Sequence, residues 1–133
     1  MTGWTCPICG RSFALHPNRH LMTHGAIYSF RYGRSDLRLW LAVAFADEVA
    51  VRRACDDAIG GGRPSGLHTD DRLAAAVLCI RRGHRSTAVG RLGINGQTSR
   101  HMRDMVDNDL LPEIGSYELP PGMHYINNES DEQ

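Results

Sequence analysis

Two cysteines and two histidines near the start of the chain limit its N-terminal fold more than any other feature. Cys6 and Cys9 are separated by two residues, and His20 and His24 by three. The first spacing places two sulfurs on one tight backbone turn, which Gly10 makes possible. The second places two imidazoles one helical turn apart on the same face. Four such ligands suit the tetrahedral coordination of Zn²⁺. The sequence therefore predicts a zinc site formed by Cys6, Cys9, His20 and His24.

This segment resembles the C2H2 zinc-finger family over residues 4–24. Trp4 and Phe13 occupy the positions at which a small finger places its few core side chains. The resemblance implies a ββα-like module over residues 1–25, with Zn²⁺ as its cofactor. It is followed by a short connector at residues 26–34, which is preceded by Gly25 and contains Gly33.

The spacing inside this module departs from the family pattern. Ten residues lie between Cys9 and His20, where the family has about twelve. We therefore expect a short finger helix that begins near Pro17, and a zinc ion that acts mainly as a structural staple. His16 and His20 also have helical spacing, so His16 is an alternative ligand.

The remainder of the chain predicts a mostly α-helical fold, with a helical domain at residues 35–111. No glycine or proline occurs between Ser35 and Ile59, and apolar residues recur there at helical spacing. This pattern predicts one long helix at 36–59, either central to the core or pairing two copies in a homodimer. Cys55 and Cys79 lie in apolar helical patterns and are interpreted as small buried hydrophobic residues.

Residues 85–107 have the pattern of two short helices separated by a turn. Gly93 suits the turn, Asn95 is a ready N-cap for the second helix, and small residues lie where the two helices would cross. With the helix before it, residues 69–108 resemble the helix-turn-helix regions of resolvases, transposases and sigma-like regulators. The resemblance implies binding to double-stranded DNA. The side chains expected to contact DNA are Arg85, Arg91, Gln97, Thr98, Arg100, His101 and Arg103.

Charge is segregated along a chain whose formal net charge is zero. Counting arginines against acids gives +4 for residues 1–34 and +6 for residues 81–103, and neither segment contains an acid. Residues 104–133 carry −8 and no base, so residues 112–133 are predicted to form an acidic, flexible tail. The coincidence of both basic segments with the two motifs favours a nucleic-acid partner over a merely solvated surface.

Other classes of protein are disfavoured by the sequence. No histidine pairs with a nucleophile or carboxylate in a recognisable catalytic pattern, so we expect no enzymatic activity. No apolar run is long enough to span a membrane, and the N-terminus lacks a secretion signal, so a cytoplasmic protein is expected. The sequence thus predicts a zinc-containing DNA-binding protein, a small transcriptional regulator of phage or mobile-element type. The alternative is a zinc-stabilised adaptor whose acidic tail or long helix binds a partner protein.

Overall fold

A computed structural model describes residues 4–6, 10–13, 20 and 34–120 of the 133-residue chain. Two short strands, β1 (Trp4–Thr5) and β2 (Ser12–Phe13), pair antiparallel with Trp4 opposite Phe13. Residues 34–120 contain the helices α1 (Arg34–Ala44), α2 (Glu48–Ile59), α3 (Thr69–Arg81), α4 (Thr87–Arg91) and α5 (Gly96–Asp107). The described part is mostly helical, as the sequence predicts.

Helix α3 is the centre of the helical part and contacts the other four helices. Seven consecutive side chains in it, at residues 74–80, are buried. A helix that is apolar around its whole circumference must be covered on every side. Two buried carboxylates in the first turn of α3 form hydrogen bonds with the segments packed against it. Asp70 accepts a hydrogen bond from Arg38 on α1 at 3.1 Å, and Asp71 accepts one from the amide of Asp47 at 3.2 Å.

The prediction of a single helix at 36–59 is wrong, because the chain breaks at residues 45–47. Asp47 is the N-cap of α2, and its carboxylate accepts hydrogen bonds from the amides of Val49 and Ala50 at 3.1 and 3.2 Å. This satisfies two of the amides that a helix leaves unpaired at its start. The break therefore depends on a capping aspartate rather than on glycine or proline.

The carbonyl groups at the end of α1 are satisfied from a distant part of the chain. In a continuous helix the carbonyls of Val43 and Ala44 would accept from residues 47 and 48. Instead they accept from the amides of Gly115 and Tyr117, at 3.0 and 2.8 Å. Residues 111–120 are here named the C-terminal strap. Their amides thus take the place of those that a further turn of α1 would supply.

Further contacts hold the C-terminal strap against α1 and α3. The indole nitrogen of Trp40 donates to the carbonyl of Glu118 at 3.0 Å, and the ring of Phe45 stacks on Tyr117 with centroids 5.0 Å apart. The predicted flexible tail at 112–133 therefore begins too early, since the chain is packed as far as Pro120. Its remaining residues, 121–133, lie outside the described residues, as does most of the predicted connector at 26–34.

The apolar face of residues 36–59, which suggested a homodimer, is mostly buried in the core of the same chain. In α1 and the break, residues 39–46 are all buried. Their wide apolar stripe serves the core, which is one of the two roles that the sequence left open. Val49 on α2 is the exception, with 67% of its surface exposed.

Cys55 and Cys79 are buried between α2 and α3, as the sequence predicts. Their sulfur atoms lie 3.3 Å apart as a hydrogen-bonded thiol pair, and no disulfide joins them. Burial, reinforced by the hydrogen bond to Cys55, raises the pKa of the Cys79 thiol to about 12. The thiol consequently stays protonated at neutral pH and behaves as an apolar side chain.

In the part of the chain that the structure describes, every helix is too short or too polar to cross a membrane.

We expect the C-terminal strap to contribute to global stability through Arg81. Its Nη2 donates to the carbonyls of Leu111 and Pro112 at 3.1 and 2.8 Å. Since hydrogen bonds from charged groups are stronger than neutral ones, Arg81→Ala should lower the free energy of unfolding by about 2 kcal/mol. Urea denaturation measures this change. Arg53→Ala, at an exposed position on α2, is the matched control and should stay within about 0.5 kcal/mol of the parent. Equal losses for the two variants would contradict the role of Arg81.

Candidate nucleic-acid interface

Helices α4 and α5 lie where the sequence predicts the two arms of a helix-turn-helix, with bounds close to those expected. Gly93 takes a φ of +81° in the turn between them, a value that L side chains rarely adopt. Asn95 caps α5, and its side-chain oxygen accepts from the amide of Thr98 at 2.8 Å. Ala88 and Val89 are buried on α4. The turn glycine and the cap thus occupy the places that the sequence assigned to them, and the two small residues belong to the core.

A buried serine occupies a position of α5 at which an apolar side chain is usual. Ser99 is buried beside Met102 and Met105. Its hydroxyl accepts a hydrogen bond from Arg103 Nη1 at 2.9 Å, so the polar group is satisfied. The same Arg103 nitrogen donates to the carbonyl of Arg85 at 3.2 Å. Arg103 therefore joins α5 to the segment that precedes α4, and its guanidinium is only partly available to a ligand.

Two predicted DNA-contacting side chains, Gln97 and Arg100, are exposed on α5. Within the described residues, no hydrogen bond or ion pair engages either side chain. Both lie on the side of the helix away from Ser99 and Met102, which are buried. They are the members of the predicted set best placed to reach an external partner.

His101 and Thr98 lie on the flank of α5 that faces α1. The Nε2 atom of His101 is buried and 2.7 Å from a carboxylate oxygen of Asp36. No hydrogen bond joins the two groups, which make a close polar contact. The side chains of His101, Thr98 and Gln97 line a cavity of about 480 Å³ between α1, α3 and α5. His101 accordingly connects α5 to α1, a role that the sequence did not predict.

Arg91 is tied to the end of another helix. Its Nη1 atom donates to the carbonyl of Ala58 at 2.8 Å, near the C-terminus of α2. A cation there adds a second donor to a carbonyl that already accepts from a backbone amide, and it complements the negative end of the helix dipole. The sequence could not separate this role from the predicted contact with DNA, because the two require the same side chain.

Arg85 is exposed but paired with a carboxylate of α5. Its two terminal nitrogens lie 3.0 and 2.9 Å from the two oxygens of Asp107, which is a fork-like bidentate pair. The hydrogen bond raises the pKa of Arg85, and it holds the pKa of the Asp107 carboxyl below its usual value. Arg82 is similarly paired with Asp56 at 2.7 Å. The +6 charge of residues 81–103 is therefore partly neutralised by acids from other segments.

The predicted zinc ligands are only partly covered by the structure, since Cys9, His24 and the alternative His16 lie outside the described residues. Cys6 is buried directly after β1, and its carbonyl accepts from the amide of Gly10 at 2.8 Å. Gly10 has a φ of +80°, a backbone conformation that suits the glycine of a tight turn. His20 is half-buried in helical backbone. These features fit a zinc knuckle.

The described residues hold no group of three or more metal-ligating side chains. Only Cys6 and His20 of the proposed set belong to that part of the chain. Within residues 34–120, the scattered histidines and the Cys55–Cys79 pair form no such group.

Comparisons with protein-family models, with curated proteins and with solved structures found no match for this chain.

We predict that the ordinary pKa of Asp107 returns when its partner is removed. With a lowered folded-state pKa, the pair contributes to stability above the ordinary pKa of the carboxyl. This contribution is lost as the pH falls through the lowered value. Carbon-13 NMR of the side-chain carboxyl should show the midpoint for Asp107 moving up in Arg85→Ala. Arg53→Ala should leave it unchanged, and a midpoint unmoved in Arg85→Ala would disprove the pairing in solution.

Proposed function

We propose that this chain is a zinc-containing protein that binds double-stranded DNA, acting as a small transcriptional regulator of phage or mobile-element type. The observation that carries the proposal is the arrangement of α4 and α5. The glycine turn ends the first helix, the Asn95 cap starts the second, and α3 contacts both of them. Gln97 and Arg100 are exposed on the first two turns of the second helix. In a helix-turn-helix, these turns of the second helix contact base edges in the major groove.

The exposed side chains have the chemistry that base edges require. A glutamine can form paired hydrogen bonds with adenine, and an arginine can do so with guanine. The N-terminus of α5 adds the positive end of a helix dipole, which is favourable near phosphates. Arg85 supports this face less directly, because binding to a phosphate would compete with its pairing to Asp107.

On this proposal the zinc ion has a structural role. A module of about 25 residues is too small to fold on its own core, so the metal would supply most of its folding free energy. Cys6, Cys9, His20 and His24 would hold the ion. The module would place Arg11, which is exposed after the knuckle, where it can contribute to phosphate contacts.

DNA binding is tested by fluorescence anisotropy with a labelled random-sequence duplex at increasing salt concentrations. The full chain should bind at low salt and lose affinity steeply as salt rises, because phosphate contacts release counterions. On a duplex that the parent chain selects from a random library, the double variant Gln97→Ala/Arg100→Ala should bind about tenfold more weakly, because it loses two contacts to base edges. Arg53→Ala on α2 controls for the loss of one exposed positive charge and should bind as the parent does.

A truncated chain tests whether the acidic residues at the C-terminal end weaken binding to DNA. It should stop after Pro120, because an earlier end would remove the C-terminal strap from α1. Absence of binding at low salt by both the full and the truncated chain would refute the proposal. So would an unchanged affinity in the double variant.

The zinc site is tested separately by elemental analysis of the purified chain. We expect one zinc per chain and its loss in Cys6→Ser. Cys55→Ser is the control, since that cysteine is buried between α2 and α3, and it should keep the zinc. A metal-free N-terminal module that stays folded would overturn the assignment.

A second candidate function, a protein adaptor, is favoured by a separate surface. Val49 and Tyr117 expose 67% and 54% of their surfaces. A cavity of about 380 Å³ beside Tyr117 is rimmed by the carboxylates of Asp47, Glu48 and Asp71. Such a surface fits an apolar segment with basic residues. An adaptor that uses it would bind no duplex in the anisotropy experiment, which separates the two functions.

A further inference from the structure

Three exposed polar side chains form one stripe along α5. Gln97, Arg100 and Asp104 follow each other at spacings of three and four residues, and all three are exposed. At 3.6 residues per turn they fall within an arc of about 60°. The stripe lies away from the face formed by Ser99, Met102 and Met105, which are buried. An external surface that meets Gln97 and Arg100 therefore also meets Asp104.

The Asp104 carboxylate has no partner among the described residues. Its backbone carbonyl accepts hydrogen bonds from Asn108, but no hydrogen bond or ion pair engages its side chain there. Asp107, one turn further along α5, is occupied by Arg85. Asp104 is thus a carboxylate on the proposed DNA-facing stripe that is available to a ligand.

A carboxylate on that stripe is unfavourable for general affinity, because DNA phosphates repel it and it loses water on binding. It is tolerated where a base supplies a hydrogen-bond donor. Guanine and thymine present acceptors at this edge, and adenine presents its amino group beside the N7 acceptor. Cytosine presents an amino donor with no neighbouring acceptor of its own, so it is the base that a carboxylate fits best.

We propose that Asp104 is a specificity-determining residue that selects a cytosine in the major groove, an inference that rests on the DNA-binding function proposed above. Gln97 and Arg100 supply attractive contacts to adenine and guanine, and Asp104 rejects the bases that offer no suitable donor. Specificity of this kind arises from a penalty on wrong partners as much as from contacts with the right one.

The helix geometry limits where the selected cytosine lies. Seven residues of helix separate Gln97 from Asp104, a rise of about 10.5 Å. Base pairs are stacked about 3.4 Å apart. The base read by Asp104 therefore lies within about three base steps of the base read by Gln97.

The experiment is selection of binding sites from a randomised duplex library by the full chain. The parent should enrich a short motif with a fixed cytosine. Asp104→Ala should lose the preference at that one position and keep the others, and Asp104→Asn should shift the position towards adenine, which asparagine pairs with. Both variants should bind unselected duplex several-fold more tightly, because a carboxylate that repels phosphates is gone.

Asp57→Asn is the matched control, because it removes an exposed carboxylate from α2, outside the helix-turn-helix. It should leave the selected motif unchanged. Enrichment of the same cytosine by Asp104→Ala would overturn the proposal, and so would a parent chain that binds duplex without enriching any motif. In both cases the duplex binding itself would persist. Failure of the parent to bind any duplex would instead defeat the proposed function, and this inference with it.

Discussion

The end of α1 at Ala44 is the constraint on which the rest of the helical part depends. Helix α3 is buried along residues 74–80 and needs neighbours on every side, which one long helix at 36–59 would not provide in this arrangement. Ending α1 early leaves carbonyl groups without partners. The C-terminal strap supplies amides to two of them, while Asp47 starts α2 in a new direction. The break between α1 and α2 thus leaves few backbone groups without hydrogen-bond partners. It also lets two helices, instead of one, cover α3.

Arginine is used in this fold as a multiple hydrogen-bond donor more than as a free charge. Arg81 binds two carbonyls of the C-terminal strap, Arg91 binds the end of α2, and Arg103 bridges a hydroxyl and a carbonyl. The planar guanidinium, with five donors, suits such roles better than an ammonium group does. The basic segment at 81–103 therefore offers a partner fewer free guanidinium donors than its six arginines suggest. Arg100 is exposed, and no hydrogen bond engages its side chain within the described residues.

The local parts of this structure could be predicted from the sequence, and the long-range parts could not. Gly93 and Asn95 determine the conformation of only the few residues next to them. The turn and the start of α5 could therefore be predicted from residue type alone. The break after Ala44 has no such signal, since its donors come from Gly115 and Tyr117. The same distinction holds in the candidate site. The exposure of Gln97 and Arg100 follows from helical periodicity. The attachment of His101 to Asp36 and of Arg91 to Ala58 joins residues far apart in sequence.

These attachments explain how a short helix can present a defined surface. Helix α5 is held on one flank by the contact between His101 and Asp36, and near its end by the pair between Asp107 and Arg85. Its buried face is fixed by the packing of Met102 and Met105 in the core. A helix restrained on one flank and near its C-terminal end loses little further freedom when it binds, so its exposed stripe is preorganised. Discrimination between bases requires such rigidity. If the helix could shift, the carboxylate would move away from a base that offers it no donor, and the free-energy penalty of the mismatch would be lost. The residues that sequence reasoning assigned to DNA contact, but that bind within the protein, would serve recognition indirectly by holding the stripe in place.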